Sequence, residues 1–246
     1  MSTTSHTVVV IGGGAAGIAS AASMLKRRPG LDIAIVEPTE THAYQPGWTM
    51  VGGGVFDVAT TTRPMHAVMP KGVRWIKQAA ASFQPEDNQV TLRDGSTIAY
   101  DVLIVAPGIR LAWEKIAGLT ETLGQNGVTS NYRGDLAPYT WRMVQQMQGG
   151  RAIFTQPPMP IKCAGAPQKV MYLACDHWRR AGVLGDIAVE FRNSGAVLFG
   201  VADYVPALMS YVEKYAIALE LSNTLLAVDG PARRATFATA DGEVTT

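Results

Sequence analysis

Near its start the chain reads Val8-Val9-Val10-Ile11-Gly12-Gly13-Gly14-Ala15-Ala16-Gly17, an apolar run broken by glycines and followed by a helix-compatible stretch to Arg28. Gly12, Gly14 and Gly17 form G-x-G-x-x-G, and Glu37 stands twenty residues beyond Gly17, after a second apolar run from Ile33 to Val36. Short continuous apolar runs suit parallel strands buried on both faces, and Pro29 and Gly30 stop the intervening helix. The unit expected is therefore strand, tight turn, helix, strand. In that setting the first glycine permits the turn, the second lets a pyrophosphate approach the backbone, and the third lets helix and strand pack closely. Amide groups at the helix start favour the anion, and Glu37 is placed to accept hydrogen bonds from an adenosine ribose. The pattern alone does not choose between FAD and NAD.

Beyond Glu37 the stretch from Pro38 to Pro70, rich in Gly, Pro and Thr, reads as irregular crossover structure over a ligand. Strand signals return at Val73 to Ile76, and Asp94-Gly95 marks a hairpin turn between Gln89 to Leu92 and Thr97 to Ala99. Val102 to Ala106 reads as a further buried strand, ended by Pro107 and Gly108. Leu136 to Gln148 is helix-compatible, Arg151 to Thr155 restarts the strand pattern, a helix is expected from Pro167 to about Ala181, and Ile187 to Phe191 is a strand again. The second half thus repeats the plan of the first. The fold class expected is α/β, with two Rossmann-like dinucleotide-binding-type domains: 1–112 first, 113–150 connecting, and 151–246 second. Arg234 to Ala238 reads as a strand before an Asp241-Gly242 turn, and ending so soon after it the chain is expected to be truncated.

The 246 residues are 47% apolar and 17% charged with net charge +1, which suits a globular protein with a small-molecule partner and no nucleic-acid partner. The first apolar run begins at Val8, too early for a secretory or transit peptide, and no run is long enough to span a bilayer. Membrane contact is expected to be peripheral, on a bacterial inner membrane, or the protein to be cytoplasmic. The histidines and the two cysteines show no metal-site spacing.

In a protein with two dinucleotide units the second normally carries its own glycine fingerprint. Here residues 156–167 after the strand contain one glycine and four prolines, which remove amide donors a pyrophosphate needs. Gly52, Gly53 and Gly54 are no substitute, since Asp57 stands where a third fingerprint glycine belongs. The turn carries Cys163 instead, next to Lys162 and just ahead of a helix start, both of which favour thiolate over thiol. Cys175, about two helical turns in and at the border of the apolar face, reads as a packing residue.

Taken together, Val-Ile-Gly-Gly-Gly at 10–14, Ile-Val-Glu-Pro at 35–38, Tyr-Gln-Pro at 44–46, Arg-Pro at 63–64, Gly-Val-Arg-Trp-Ile-Lys at 72–77 and Lys-Cys-Ala-Gly-Ala-Pro-Gln-Lys at 162–169 resemble the sulfide:quinone oxidoreductases, in the branch that includes the mitochondrial enzyme. The likeness runs from about Val8 to Leu226. It implies FAD on the first unit and oxidation of sulfide at a cysteine pair, with electrons passed through FAD to a membrane quinone; that no nicotinamide donates from the second unit is the expectation set by its prolines. Cys163 matches one of the pair. By the same likeness Ala15, Ala16, Glu37, Gln45 and Ala80 occupy FAD-contacting positions, and Gly108 is added because the strand ending Val105-Ala106-Pro107-Gly108 resembles the one that returns under the flavin in glutathione-reductase-like enzymes. The second redox cysteine, the quinone pocket and the amphipathic membrane contact belong, in that family, to a C-terminal region absent here, so this chain alone is expected to be a poor enzyme. An NADH:quinone-type flavoprotein and an inactive FAD-binding fragment are the competing readings.

Overall fold

The computed structural model describes residues 3–246. In chain order its first half runs β1 (Thr3–Ile11), α1 (Ala15–Arg27), β2 (Ile33–Val36), β3 (Thr41–Ala43), α2 (Pro46–Gly52), β4 (Thr62–Pro64), α3 (Met65–Val68), β5 (Val73–Ile76), β6 (Ala80–Gln84), β7 (Gln89–Leu92) and β8 (Thr97–Val105). The second half runs α4 (Leu119–Thr122), α5 (Ala137–Gln146), β9 (Gly150–Gln156), α6 (Gly165–Ala181), β10 (Ile187–Asn193), α7 (Val205–Lys214), β11 (Ala218–Leu221), β12 (Thr224–Asp229), β13 (Arg234–Thr239) and β14 (Gly242–Thr245). Two compact units result, the first made of the residues up to Tyr44 with Thr62–Arg110, the second of Gln45–Thr61 with Leu111–Thr246. No helix of the described residues is long and apolar enough to cross a membrane.

The first unit is a six-stranded sheet in the order β5-β2-β1-β8-β7-β6. β1 pairs in parallel with both β2 and β8, so its apolar residues are covered from both sides. On one face Val8, Val10, Ile33 and Ile35 pack with Ala21, Met24 and Leu25 of α1. On the other, Val9, Ile11 and Val36 pack with Val90, Leu92, Ile98 and Tyr100. Alternation of β1 side chains between faces produces both cores from one strand. The Asp94-Gly95 turn closes the β7–β8 hairpin, with the Leu92 amide donating to the Ser96 carbonyl at 2.8 Å and Gly95 at φ +83°.

Two expectations for this half need correction. Val102 to Ala106 is not a separate buried strand: it continues β8 from Thr97, and Val102 and Val105 are 50% and 57% exposed. Its apolar run resembles that of β1, but α1 covers β1 and β2 and reaches β8 only at Ile104. The stretch 38–70 is not irregular either. It holds a β3–β4 ladder, α2 and α3, with Pro46 at the start of α2, where the missing amide costs no hydrogen bond.

The second unit carries a three-stranded parallel sheet, β11-β10-β9, with α6 and α7 as its crossovers, and an antiparallel sheet, β12-β13-β14. Its core gathers Met171, Ala174, Cys175 and Trp178 of α6 with Val189 and Phe191 of β10 and Val212 and Tyr215 at the end of α7. Helix α6 begins at Gly165, two residues before the expected start, because the small residues Ala164 to Ala166 enter the first turn and the Ala166 amide reaches the Cys163 carbonyl at 3.2 Å. Cys175 is fully buried rather than at a border, since α7 covers the flank of α6 that the helical pattern left to solvent; Tyr172 and Tyr211 meet there at 5.7 Å between ring centres.

Candidate functional site

In the first unit the sequence pattern around the glycines becomes a turn with defined clearances. Gly12 has φ +106°, and a Cβ there would stand 2.1 Å from the Ala106 carbonyl oxygen, so only glycine lets β1 leave the sheet beside the end of β8. At Gly17 a Cβ would stand 1.9 Å from the Gly12 oxygen. Gly14 is different: a Cβ there would meet nothing within 4 Å, and the space beside it is open. No side chain caps α1, and no acidic residue lies in its first turn. Ala15 and Ala16, the first helical residues, are exposed. The turn therefore offers helix-start amides and an unobstructed backbone to an anion.

Glu37 is held against this turn. One carboxylate oxygen accepts the Gly13 amide at 2.8 Å, and the other accepts the Thr39 amide at 2.8 Å and the Thr39 hydroxyl at 2.7 Å. The Trp75 indole donates to the Glu37 carbonyl at 2.8 Å, fixing the backbone as well. The oxygen that accepts the Gly13 amide keeps a lone pair for a ribose hydroxyl. The His42 Nδ1 lies 3.2 Å from the Gly13 carbonyl oxygen. Ala80, at the start of β6, packs with the cluster that contains Ile11 and Val36, at the same ends of β1 and β2. Gly108 lies just past the end of β8, exposed and with φ +81°. The first unit thus brings Gly12, Gly14, Ala15, Ala16, Gly17 and Glu37 to one turn, with Ala80 packed beneath the strand ends.

Gln45 and Cys163 belong to the second unit. Residues 157–163 form the turn after β9, and no glycine loop is present there. Cys163 is half-buried one residue before the cap of α6. Its carbonyl oxygen accepts the Tyr132 hydroxyl at 2.7 Å. Lys162 donates to the Gln45 amide oxygen at 3.1 Å, and its ammonium lies 5.6 Å from the Trp48 ring centre and 5.4 Å from that of Tyr132. Burial pulls the Lys162 ammonium below the ordinary lysine range, and the neighbouring Cys163 acts in the opposite direction. Burial, then Cys163, push the Tyr132 phenol upward, so it stays a donor. Cys175, by contrast, is pushed up to about 12 by burial and remains a neutral thiol. Tyr132, Trp48, Thr39 and His42 carry no local signal in the sequence; each reaches the site through tertiary contact or, for Thr39, through a two-residue turn.

A family model described as pyridine nucleotide-disulphide oxidoreductase matches residues 6–138. The mitochondrial sulfide:quinone oxidoreductase of Dictyostelium discoideum is 39% identical over 97% of this chain and 53% of its own length; that of Mus musculus is 38% identical over 94% and 52%. The chain therefore spans about half the length of these curated relatives. The solved structure of the sulfide:quinone oxidoreductase from Aquifex aeolicus superposes with a TM-score of 0.78, at 21% identity, over 98% of this chain and 57% of that one, which establishes the shared fold. Proteins of this family are FAD-binding flavoproteins. The glycine turn, its relation to Glu37 and these matches agree: the chain belongs to the pyridine nucleotide-disulphide oxidoreductase family, as a homologue of the sulfide:quinone oxidoreductases.

Proposed function

We propose that the chain binds FAD at the Gly12 to Gly17 turn and takes part in oxidising sulfide at Cys163, with the electron pair passed through the flavin to a membrane quinone. The observation that carries this reading is the turn after β9, where prolines and a held cysteine stand in place of a nicotinamide fingerprint. The open side of Gly14 and the uncapped start of α1 fit a pyrophosphate, and Glu37 fits the ribose. Ala15, Ala16, Ala80 and Gly108 are assigned to the same cofactor. FAD, when bound, supplies a two-electron acceptor that can be reoxidised by quinone.

Sulfide, as HS⁻, attacks a disulfide between Cys163 and a second cysteine that is not among this chain's residues. The S–S bond breaks, one cysteine keeps the incoming sulfur as a persulfide, and the other leaves as a thiolate carrying the electron pair. Cys175 is no candidate for the pair, being fully buried in the α6 core. Tyr132 holds the backbone of Cys163, and Lys162 brings a positive charge to its side.

The test is anaerobic flavin reduction by sulfide in full-length protein, comparing Cys163→Ser with the unaltered enzyme at matched flavin content. Flavin bleaching should fall to background with FAD still bound. Bleaching at the unaltered rate would remove Cys163 from the chemistry.

A further inference from the structure

Lysine ammonium groups ordinarily sit in water on a flexible stem, and holding one in place costs side-chain entropy and hydration. Lys162 is held nonetheless, half-buried, by residues from two separate segments of the second unit: Gln45 and Trp48 at the start of α2, and Tyr132. A structural lysine in such a position is usually matched by a carboxylate. Among the described residues Lys162 has none; its hydrogen-bond acceptor is a neutral amide, and its other neighbours are ring faces. Rings and amides orient a cation without cancelling its charge. Tyr132 ties the same assembly to the cysteine through the Cys163 carbonyl.

We propose that Gln45, Trp48 and Tyr132 are positioning residues that fix the Lys162 ammonium beside Cys163 as the receptor for the anionic form of the sulfur substrate. The inference rests on the sulfide chemistry proposed above and names the charge state in which sulfide arrives. It also gives Gln45 a role distinct from the FAD contact expected from the sequence.

The experiment compares alkylation of Cys163 in full-length protein, first reduced anaerobically with dithiothreitol and then freed of it so that Cys163 is a thiol, by two reagents of similar size, anionic iodoacetate and neutral iodoacetamide, with modification read by peptide mass spectrometry. Buried Cys175 serves as the unreactive reference. The ratio of the two rates cancels thiol ionisation and general access, so it reports the fixed positive charge and not loop mobility. Lys162→Met should lower the ratio roughly fivefold, as expected for unit charges a few ångströms apart in a water-like medium, and Lys162→Arg should preserve much of it. Trp48→Leu, Tyr132→Leu and Gln45→Leu should each lower it part-way, whereas Tyr132→Phe, which keeps the ring, should change both rates together. Added salt should bring the unaltered protein toward Lys162→Met. Gln45 is exposed, so its variant tests the assembly even if the aromatic variants fail to fold. A ratio unchanged in Lys162→Met overturns the receptor role; a ratio lowered there but unchanged in the folded cage variants overturns the positioning role. Neither result depends on sulfide turnover, whose failure is read separately from Cys163→Ser.

Discussion

An added side chain at Gly14 would enter open space, while at Gly17 it would collide with the Gly12 carbonyl oxygen at 1.9 Å. The two glycines of one motif therefore fail differently when replaced. Gly14→Val should fold, with a melting temperature close to that of the unaltered apoprotein because little more than a helix-cap preference is lost, yet it should purify without flavin. Gly17→Ala should lose about 1–3 kcal/mol of stability from forced displacement at the strand–helix contact, despite alanine's better helix propensity. Thermal melts with flavin absorbance separate the two; a Gly14→Val protein that keeps its flavin would contradict the pyrophosphate assignment. This much was legible in the sequence, because glycine spacing and the distance to Glu37 are local facts about a turn. The partners of Glu37 were only partly so. Thr39 follows by two residues, but Trp75 comes from a strand 38 residues away, and nothing in its surroundings marks it as a support for that backbone.

Helices α2 and α6 show where element-level reading fell short. The Gly52-Gly53-Gly54 run was recognisable as something other than a nucleotide loop, but its use is in packing. A Cβ at Gly53 would stand 2.3 Å from Leu173 Cδ1 and 2.8 Å from its Cβ, and one at Gly54 would stand 2.4 Å from the Trp141 ring. Gly53→Ala should accordingly destabilise the second unit by about 1–3 kcal/mol, seen as a lower denaturant midpoint. Helical periodicity located the buried stripe of α6 but placed Cys175 at its edge, since a pattern on one helix cannot show that α7 covers the adjoining flank. Full burial changes the expectation for Cys175→Ser, which places a hydroxyl in an apolar core at a cost of about 1–3 kcal/mol. It also sets a pH dependence. The folded thiol titrates at about 12, above the ordinary 9.0, so the unfolded chain releases its proton first. The contribution of Cys175 to stability is complete below about pH 9 and is lost as pH rises toward 12. The melting temperature of the unaltered protein should therefore fall toward that of Cys175→Ser over that window; a constant difference between them would contradict the burial.

At the scale of the whole chain, the doubled plan of strand, turn, helix and strand was legible because buried parallel strands leave continuous apolar runs. The allocation of Gln45–Thr61 to the second unit was not, because its ties are distant in sequence, as with the buried hydrogen bond from Asn131 to Thr49 across 82 residues. The comparison of the two units supports the electron donor proposed here. In the first, the turn after β1 combines an open glycine, helix-start amides without a side-chain cap and an acid at the next strand end. In the second, the equivalent turn after β9 carries Pro157, Pro158 and Pro160, which donate no hydrogen bonds, and the main-chain oxygen of Gln156 is taken by both the amide and the hydroxyl of Ser194. A pyrophosphate at that turn would find few donors in residues 157–163 and no glycine among them to let it approach. NADH should therefore reduce the flavin of the full-length protein at least about a hundredfold more slowly than sulfide does, the loss of two charge-assisted hydrogen bonds being sufficient for a factor of that size. Anaerobic stopped-flow mixing with each donor measures both rates on one sample. If NADH bleaches the flavin as fast as sulfide, the prolines have been misread as a barrier and the second unit binds a nicotinamide by other means; if sulfide fails as well, the reading of Cys163 falls with it.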